Sequence, residues 1–504
     1  MSKAWSMSGR LQVEDSVVLT ADSTLMSDYR RNEFLGFGTC APSNFVPDFM
    51  FRRLFFPPIK TEDGIPASAP YGLRKIEAQL VKEGFNVLTV TPDHLGSFVQ
   101  KAKVLGIHVM DPFGLGPASS TLASILKREP FLARYFRHLF ELPEVREAEK
   151  RGMKIIVGGP GVWQLKYRPN FVEKYGIDCV IEGEAEKVVG KVFRAAVNDE
   201  PLPASYEVGI EESPRVEEIP DIVNASVNGL VEIGRGCCRG CKFCSVTLRP
   251  LRWFPIEKIL GEVDVNLKAG NRGVILHEDD VMLYGSKTTV PDDEKLVKLH
   301  EMVLQKCDGV TWSHCSLAAV AAKPRLFAQV AELIRQKQRW WGVEIGLETG
   351  SAELATKIMP AKAHPFKPEE WPEVARTAMG LMHDNMLVPA CTLIVGVPEE
   401  TEDDLLKTME LIDDLKGCRS LIVPLFFVPM GRLKDEDWFK NAGMTKTHEE
   451  LMIKCLEHDY RWVDDLIGMS FSEGWKANAI RPFYRLFVMI AKYKIRQAGI
   501  NAEM

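Results

Sequence analysis

Residues 232–244 read Glu232-Ile-Gly-Arg-Gly-Cys-Cys-Arg-Gly-Cys-Lys-Phe-Cys244. Cys237, Cys241 and Cys244 form a C-x3-C-x2-C pattern directly after a short apolar run at 230–233, which predicts a strand. Three cysteines this close cannot easily lie on one regular element, so the spacing predicts a loop. Thiolates are the usual ligands of [4Fe–4S] clusters. Because such a cluster normally takes four thiolates, three cysteines would leave one iron open to a small molecule.

The cysteine pattern resembles that of the radical SAM superfamily, in which the open iron holds the amino and carboxylate groups of S-adenosylmethionine (SAM). Phe243 before the last cysteine fits the resemblance, and Gly236 and Gly240 give the loop its backbone freedom. A zinc knuckle is the alternative, but structural zinc sites use four ligands in paired knuckles and no second pair follows. Cys238 is predicted to pack as a small buried residue and not to act as a ligand.

Composition limits the class of protein. A chain of 504 residues with 46% hydrophobic and 26% charged residues predicts two or three globular domains. A net charge of −6 gives no electrostatic reason to expect nucleic acid or an anionic membrane as a partner. No apolar run is long enough to span a bilayer, and residues 1–9 lack a signal-peptide core. Eleven cysteines, scattered apart from the cluster, indicate a reducing cytoplasm.

Residues 1–200 alternate short apolar runs with helical patterns, which predicts an α/β domain with a doubly wound parallel sheet. A long stretch at 24–70, rich in Gly, Pro and Phe, is predicted to be irregular and to form a functional loop. Ligands of such sheets bind beyond the carboxyl ends of the strands. The predicted strands are 15–21, 86–90, 107–110, 154–157 and 179–181.

Glycine-rich turns follow three of these strands, and their order resembles the cobalamin-binding domain of one large class of radical SAM enzymes. The residues that carry the likeness are Tyr71-Gly-Leu73, Gly158-Gly159-Pro160 and Glu182-Gly183-Glu184-Ala-Glu186. The resemblance implies that cobalamin contacts Gly158, Gly159, Glu182, Gly183 and Glu184. The cobalt-ligating D-x-H-x-x-G motif is missing, because Asp93-His94-Leu-Gly96 has the wrong spacing. The resemblance therefore implies a corrin without histidine ligation, with His94 in a turn.

The rest of the chain divides into three predicted parts. Residues 201–228, with four prolines and many acidic residues, are predicted to be a linker. Residues 229–431 contain six strand-like runs separated by helical patterns, and they predict a partial (βα)6 radical SAM barrel with its chemistry at the carboxyl ends of the strands. Residues 432–504 are predicted to be a helical C-terminal region that ends in a helix at 475–499.

Several strand ends of the predicted barrel resemble SAM-binding motifs of the superfamily. His277-Glu278-Asp-Asp280 closes the second strand, where relatives contact the methionine amino group. Glu348 ends the fourth strand in a position where relatives contact SAM. Gly396-Val-Pro398-Glu-Glu-Thr401 resembles the turn whose backbone lies against the adenine, although Thr401 also fits a helix N-cap. The resemblance implies SAM contacts at His277, Glu278, Glu348, Gly396 and Pro398.

The combined resemblance implies a cobalamin-dependent radical SAM C-methyltransferase with a [4Fe–4S] cluster, SAM and methylcobalamin as cofactors. The overall arrangement is similar to that of enzymes of methanogenic archaea that methylate backbone alpha carbons of methyl-coenzyme M reductase. A protein or peptide substrate, specifically a glutamine of that reductase, is therefore implied, with ferredoxin or flavodoxin as electron donor. No catalytic residue is assigned. The unranked candidates for a proton acceptor or radical relay are Cys40, Tyr71, Tyr284, His314 and Cys315.

Three alternatives remain open at this point. A cobalamin radical SAM enzyme could close or contract a ring, or methylate a lipid, tetrapyrrole or antibiotic precursor. A radical SAM enzyme without cobalamin would leave the first domain as a degenerate nucleotide-binding fold. A non-catalytic metal-binding scaffold would hold a tetrahedral metal with Cys238 or a distant cysteine as its fourth ligand.

Overall fold

The computed structural model describes residues 16–43, 47–439 and 443–470, with single helical positions at Pro482, Leu486, Met489 and Tyr493. Most of the helix predicted at 475–499 lies outside the described residues. In chain order the strands are β1 (Val17–Ala21), β2 (Thr61–Glu62), β3 (Ile65–Pro66), β4 (Val87–Thr89), β5 (Val104–His108), β6 (Lys154–Gly158), β7 (Cys179–Glu182), β8 (Ser205–Glu207), β9 (Leu230–Glu232), β10 (Gly234–Arg235), β11 (Arg252–Trp253), β12 (Val274–His277), β13 (Val310–Trp312), β14 (Trp341–Glu348), β15 (Leu387–Val395) and β16 (Leu421–Phe426). The helices are α1 (Asp48–Phe55), α2 (Tyr71–Lys82), α3 (Leu95–Val99), α4 (Pro117–Leu126), α5 (Phe131–Glu141), α6 (Pro143–Lys150), α7 (Pro169–Lys174), α8 (Val189–Val197), α9 (Ile256–Lys268), α10 (Asp293–Lys306), α11 (Leu317–Ala322), α12 (Pro324–Arg335), α13 (Ala352–Ile358), α14 (Trp371–Asp384), α15 (Glu402–Asp414) and α16 (Lys446–Ser470).

The chain divides into two compact units, and unit 1 combines the described parts of 1–28, 49–113 and 131–227. Its main sheet is parallel, with the strand order β4-β1-β5-β6-β7-β8. Val17 and Leu19 of β1 face a core shared with α2 and α8, whereas Val18 faces a core shared with α3, α5 and α6. Because helices cover both faces, the predicted doubly wound parallel sheet is confirmed.

The strand order of unit 1 changes direction between β1 and β5. The chain runs from β1 to β4 on one side and then returns to place β5 on the other side. In open α/β sheets, ligands bind outside the carboxyl ends of the strands at such a switch point. Asp22 directly follows β1, and His108 ends β5. The structure places β5 at Val104–His108, earlier than the predicted 107–110, and Gly106 lies inside the strand.

The segment 201–228, predicted as the linker, makes ordered contacts within unit 1. Its residues Ser205–Glu207 form β8, the edge strand that pairs with β7. Further along, the Lys75 Nζ donates to Pro220 O at 2.7 Å, and the Arg74 Nε donates to Ala225 O at 2.9 Å. These contacts hold the end of the segment on α2. The domain bounds at 200, 228 and 431 stay a prediction.

Unit 2 combines the described parts of 29–48, 114–130 and 228–504. Strands β9, β12 and β13 form one parallel sheet, and β14, β15 and β16 form another. A parallel bridge between His314 and Glu344 connects the end of β13 to β14. The strands thus follow one another in chain order with helices between them, and the predicted partial (βα)6 barrel is confirmed.

Two early segments of the chain, 29–48 and 114–130, belong to unit 2 and not to the domain in which the sequence predicted them. The second segment contains α4, which packs on β16, and the Phe426 N–H donates to Thr121 Oγ1 at 2.7 Å. In the first segment Phe34 lies close to Gly342. A Cβ added to Gly342 would be 3.2 Å from the Cζ of Phe34. The predicted irregular loop at 24–70 also contains α1, whose Phe51 and Phe55 are buried.

The C-terminal region begins with α16, which packs on α15 and β16. This part of the prediction of a helical C-terminal region is confirmed. Within the described ranges, none of the helices has both the length and the apolar character needed to cross a membrane.

Candidate active site

The cysteine loop follows β9 and lies between β10 and β11, which pair antiparallel. Gly236 has φ of +87°, and an added Cβ there would lie 2.5 Å from Pro250 O, so only glycine fits this turn. Cys241 is buried, Cys237 and Cys244 are half-buried, and Cys238 is exposed. The prediction that Cys238 is a buried packing residue is therefore wrong, because the residue is exposed.

The three cysteines of the pattern are protonated in the cofactor-free protein. Burial raises the pKa of Cys237 and of Cys244, and it raises the pKa of Cys241 to about 11. Metal binding needs thiolates, so loading of this loop releases protons. Among the described residues, no three His, Cys, Asp or Glu side chains are grouped to hold one metal ion. A [4Fe–4S] cluster binds each thiolate to a different iron, and the open loop fits that donor set.

Arg239, which lies between the first two cysteines of the pattern, attaches the loop to the ends of two strands. Its Nη2 is 2.9 Å from Asp280 Oδ2 after β12, and it donates to Ser316 Oγ after β13 at 2.7 Å. The Ser316 N–H donates to Asp280 Oδ1 at 3.1 Å, which closes the network. Arg239 and Asp280 are both almost fully buried. Sequence reasoning assigned no role to Arg239.

The segment 358–364 supports the loop from another side. The Lys242 N–H donates to Ile358 O at 2.9 Å, and the Arg239 Nη1 donates to His364 O at 2.5 Å. The loop is thereby held on the turn that follows α13. This turn carries Lys362, which no sequence motif had indicated.

Lys362 forms a buried ion pair with Glu348, the predicted SAM-contacting residue at the end of β14. The Nζ to Oε1 distance is 2.5 Å, and both side chains are about nine-tenths buried. An added Cβ at Gly346 would lie 2.2 Å from the Nζ, so the pair requires glycine there. Burial alone would lower the pKa of Lys362, but Glu348 and the nearby Cys241 outweigh burial and raise it. The lysine ammonium, balanced by the Glu348 carboxylate, therefore lies within electrostatic reach of the cysteine loop.

Glu278, a buried residue directly after β12, has a carboxyl oxygen without a hydrogen-bond partner among the described residues. Glu278 is 2% exposed, and burial followed by the nearby Asp279 raises its pKa well above the usual value. Its Oε2 accepts the Asp280 N–H, whereas no described residue bonds to its Oε1. Burial therefore favours the protonated form of Glu278, and its Oε1 has no hydrogen-bond partner among the described residues.

His277 and His314 lie together at the ends of β12 and β13, with ring centroids 6.1 Å apart. Within the described residues, the Nδ1 atom of each ring is buried without a hydrogen-bond partner. Burial and then the neighbouring His314 lower the pKa of His277. The His314 Nε2 lies 3.1 Å from Glu344 Oε2, and this carboxylate outweighs burial and raises the pKa of His314. Of the unranked candidates, the structure thus brings His314 next to a predicted site residue.

The turn after β15 is held from the start of α16. Gly396 has φ of +76°, and its N–H donates to Glu400 Oε2 at 2.7 Å. His448 Nε2 lies 3.2 Å from the same oxygen. The ring of Phe439 covers the glycine, since an added Cβ would be 2.0 Å from its Cγ. Pro398 follows in this turn and is half-buried.

Thr401, next in this turn, caps α15: its Oγ1 accepts the Asp404 N–H at 3.3 Å, while its own N–H donates to Asp404 Oδ2 at 2.8 Å. The structural role considered for Thr401 is thus present.

The predicted cobalamin-contacting residues lie at the carboxyl edge of the unit 1 sheet. Gly158 ends β6, and an added Cβ there would meet only Ile181 O, at 3.8 Å, so this glycine faces open space. Gly159 follows with φ of +116°, and an added Cβ would lie 2.5 Å from Val109 O. Glu182 ends β7 and pairs with Lys166 at 2.9 Å, and in the turn that follows Gly183 has φ of +106° and Glu184 is buried.

At the switch point of the same sheet, burial raises the pKa of Asp22 to about 6, against the hydrogen bonds that it accepts from Thr24. Burial lowers the pKa of His108, at the end of β5, to about 4. Neither residue had been singled out from the sequence, because both depend on which strands are neighbours. His94, by contrast, is near Thr91, with its Nδ1 2.9 Å from the Thr91 Oγ1.

Residues 231–412 match the family model of the Radical SAM superfamily. The chain carries a radical SAM domain. The domain spans β9 through most of α15 and includes the cysteine loop and every predicted SAM-contacting residue. The expected [4Fe–4S] cluster and SAM are the cofactors of this superfamily.

A similar curated protein is the tRNA-2-methylthio-N(6)-dimethylallyladenosine synthase of Thermotoga petrophila, 27% identical over 268 residues. The match covers 52% of this chain and 57% of that protein, so the chain spans little more than half the length of this relative.

A similar solved structure is the radical S-adenosylmethionine methyltransferase TsrM from Kitasatospora setae with cobalamin and [4Fe–4S] cluster bound. The TM-score is 0.52 at 15% sequence identity, over 83% of this chain and 74% of that chain. A second structure of TsrM, with tryptophan substrate and a SAM analogue, gives the same TM-score over 81% and 73%. At this identity the likeness shows the fold.

Proposed function

We propose that this protein is a cobalamin-dependent radical SAM C-methyltransferase. The observation that carries the proposal is the cysteine loop with three available thiols, tied by Arg239 to the strand ends of a radical SAM domain. A parallel sheet with an open switch point precedes this domain in the chain. The likeness in fold to TsrM, whose structure contains cobalamin and a [4Fe–4S] cluster, supports the combination of the two.

Cys237, Cys241 and Cys244 would hold the cluster. Glu278, with its free Oε1, and Glu348, beside Lys362, would bind the amino group of SAM, while His277 lies next to them. Gly396 and Pro398 would present backbone to the adenine. Gly158 and Gly159 in unit 1, with the turn at 182–184, would face the corrin. When bound, these groups supply a radical that removes hydrogen from an unactivated carbon, and a methyl group for that carbon.

The protein's own contribution is to bind, orient and fix charge. The Arg239–Asp280 pair fixes the loop without adding net charge next to it. The Oε1 atom of Glu278, which has no hydrogen-bond partner among the described residues, can form one hydrogen bond to a ligand.

For the substrate we propose a protein or peptide, specifically a glutamine of methyl-coenzyme M reductase, with ferredoxin or flavodoxin as the electron donor in an anaerobic cytoplasm. The support is the overall likeness to the archaeal methyltransferases, and the product would be a post-translational modification. The net charge of −6 is the opposite of what a tRNA substrate favours, although the Thermotoga relative is named for tRNA.

A methylthiotransferase is the second candidate, because the curated relative is named as a methylthio-adenosine synthase. Transfer of a methylthio group needs a sulfur donor in addition to SAM. The 228 residues before the domain contain only Cys40 and Cys179, too few thiols to hold a further iron–sulfur cluster as that donor. Cys179 is moreover buried within β7. Methyl transfer is therefore favoured over methylthio transfer.

The first test is anaerobic purification with cobalamin supplied, followed by iron and cobalt analysis and an ultraviolet–visible spectrum. We expect about four irons and one cobalt per chain. The triple variant Cys237→Ala/Cys241→Ala/Cys244→Ala should lose the iron and keep the cobalt, whereas the control Cys238→Ala should keep both, because Cys238 is exposed. Iron without cobalt would overturn methyl transfer from methylcobalamin, and zinc in place of iron would overturn the whole proposal.

The second test concerns the substrate. Peptides with and without glutamine are incubated with the reduced enzyme and SAM carrying a deuterated methyl group, and products are read by mass spectrometry. A deuterated methyl group on carbon of the glutamine supports the proposal. A product that also gains sulfur would favour the methylthiotransferase instead.

A further inference from the structure

The segment that follows β16 lies against the cysteine loop. The Arg432 N–H donates to Lys242 O at 2.7 Å. A Cβ added to Gly431 would be 2.7 Å from Cys244 O, so no side chain separates this segment from the last cysteine of the pattern. The same segment also lies against residues 246–248. The two stretches of chain therefore form one surface beside the candidate cluster ligands.

Four exposed cations on this surface form what we call the cationic face: Lys242, Arg249, Arg432 and Lys434. Among the described residues, none of the four has an ion-pair partner. No Asp or Glu occurs at 242–252, so the charge on this part of the face is not compensated within its own segment. Leu248 precedes Arg249 and is 40% exposed, which adds apolar area among the charges. A polar rim around an apolar centre is typical of protein interfaces.

The sign of the cationic face is opposite to that of the whole chain, whose net charge is −6. Three exposed acids, Asp435, Glu436 and Asp437, directly follow the last cation of the face and limit it on that side. An acidic partner is attracted by the cations and repelled by these acids, so the charges favour one orientation of the partner. The surface therefore fits a protein with a compact patch of negative charge.

The position of the cationic face indicates what kind of protein this partner is. A [4Fe–4S] cluster in the cysteine loop takes up single electrons from outside the protein, and electron transfer between proteins weakens steeply with distance. A carrier must therefore dock where the loop reaches the surface, and the cationic face is such a place. Ferredoxins are small carriers whose iron–sulfur clusters reach the low potentials that reduction of this cluster requires. An acidic ferredoxin combines the charge and the redox chemistry.

We propose that the cationic face docks an acidic ferredoxin, which passes one electron to the cluster held by Cys237, Cys241 and Cys244. The inference rests on the proposed function, because the cluster must be bound to accept the electron. The reduced ferredoxin loses one electron and the [4Fe–4S] cluster changes from the 2+ to the 1+ state, so no bond forms or breaks and no proton moves. Charge-steered association of this kind is fast at low salt and slows as ionic strength rises.

The test uses the cluster-loaded, full-length protein and an acidic plant-type ferredoxin under anaerobic conditions. Isothermal titration calorimetry measures the affinity for the oxidised ferredoxin, and stopped-flow absorbance measures the rate of cluster reduction by the reduced ferredoxin. The variant Arg249→Glu/Arg432→Glu/Lys434→Glu should lower both by about tenfold or more at low salt. The difference from the wild type should shrink as salt is added, because salt screens exposed charges.

The matched control is Arg335→Glu/Lys337→Glu/Arg339→Glu, which changes the net charge by the same amount. These three cations are also exposed and also lack an ion-pair partner among the described residues. They precede the amino end of β14, whereas Glu348 at the carboxyl end of that strand lies on the side of the cysteine loop. The control should therefore keep affinity and rate close to the wild-type values. Photoreduction by 5-deazariboflavin, which is uncharged and needs no docking, should reduce the cluster of all three proteins to the same extent.

Iron analysis and circular dichroism of each variant separate loss of docking from loss of the cluster or of folding. If the charge reversal lowers the iron content, Arg249→Gln/Arg432→Gln/Lys434→Gln should show a smaller loss of affinity in the same direction. Equal ferredoxin affinity and rate in the cationic-face variant and the control would overturn this inference and leave the proposed function standing. An effect on reduction by an acidic flavodoxin, with none on reduction by ferredoxin, would overturn ferredoxin as the partner. Absence of iron from the wild-type protein would overturn both the inference and the proposed function.

Discussion

Arg239 has a structural task that explains why a charged residue lies among the cysteines. Its guanidinium group reaches Asp280 after β12, Ser316 after β13 and the carbonyl oxygen of His364. A planar group with five donors can connect three separate segments in this way, which a lysine could not do. The position of the cysteines thus depends on one buried ion pair.

We expect Arg239→Met to lower the free energy of unfolding by about 3–5 kcal/mol, because Asp280 is left buried without its partner. Denaturant unfolding of the cofactor-free protein, followed by circular dichroism, measures the change. The matched control is Arg272→Met, which removes the exposed pair with Asp308 and should change the free energy by less than about 1 kcal/mol. Equal effects of the two substitutions would contradict the anchoring role of Arg239.

The cysteine pattern could be found from the sequence because its signal is local, three cysteines within eight residues. Arg239 could not, because its partner Asp280 is 41 residues away and nothing in the sequence indicates which acid it meets. Lys362 was missed for the same reason. It pairs with Glu348 across 14 residues, through a turn without regular helical spacing. Local chemistry is therefore predictable here, whereas long-range charge pairing is not.

At the level of elements, α16 and the turn after β15 depend on each other. Glu400 accepts a hydrogen bond from the backbone of Gly396 and contacts His448 at the start of α16. Phe439 covers Gly396 from the same side. The C-terminal region thus shapes a turn of the radical SAM domain, which the sequence motif alone did not indicate.

We expect Gly396→Ala to weaken binding of S-adenosylhomocysteine by about tenfold or more, because alanine at positive φ costs about 1–2 kcal/mol and its Cβ would also meet Phe439. Isothermal titration calorimetry measures the affinity. The control Gly380→Ala, in α14, adds a Cβ that meets no atom within 4 Å and should leave the affinity unchanged. The double variant Gly396→Ala/Phe439→Ala should recover part of the loss, and no recovery would show that the ring contact is unimportant.

The contact between α16 and β16 makes stability depend on pH. Asp459 is buried on α16 and accepts the Ile422 N–H at 2.7 Å, and burial raises its pKa to about 8 from an ordinary value of 3.8. The folded protein therefore keeps a proton that the unfolded chain has lost. Stability falls as pH rises between these two values, by about 1.4 kcal/mol per pH unit.

Asp459→Asn keeps the acceptor oxygen and removes the titration, so its stability relative to the wild type should rise steadily from about pH 4 to about pH 8. Thermal unfolding at several pH values tests this expectation. The control Asp435→Asn alters an exposed carboxylate and should follow the wild type at every pH. If the stabilities of Asp459→Asn and of the wild type changed with pH by the same amount, the proposed titration of Asp459 would be contradicted.

Most strands were predictable from the sequence within one to three residues, because each is an apolar run that ends at a polar or glycine residue. The exceptions have physical causes. The prediction for β5 was displaced along the chain because a glycine, Gly106, lies inside the strand. A Cβ added to Gly106 would be 2.6 Å from Leu19 Cδ2. Helix α1 was missed because it lies among prolines and glycines that indicate irregular structure. β8 is three residues long and was read as part of a linker.

At the scale of the whole molecule, the boundary between the two units does not follow a single point in the sequence. A cut at residue 228 would separate 29–48 and 114–130 from the unit to which they belong. Sequence patterns predict elements in chain order, and they give no signal for an early helix that packs on a late strand. The fold class could be predicted, whereas this exchange of segments could not.

We expect the fragment 229–504 to lack a cooperative thermal transition, because it has no α4 to cover β16 and no Phe34 beside Gly342. Calorimetry of the fragment measures this. Co-expression with 1–228 is the control and should restore a transition near that of the full chain. A cooperative transition in the isolated fragment would contradict the assignment of the early segments to unit 2.

The same exchange of segments sets an order of events during synthesis on the ribosome. Thr121 is made 305 residues before its partner Phe426. At about 5–20 residues per second, α4 waits roughly 15–60 s for the strand that covers it. During that time α4 lacks β16, the strand on which it packs in the finished protein. Lower growth temperatures or co-expressed chaperones should therefore raise the yield of soluble protein more than a stronger promoter would.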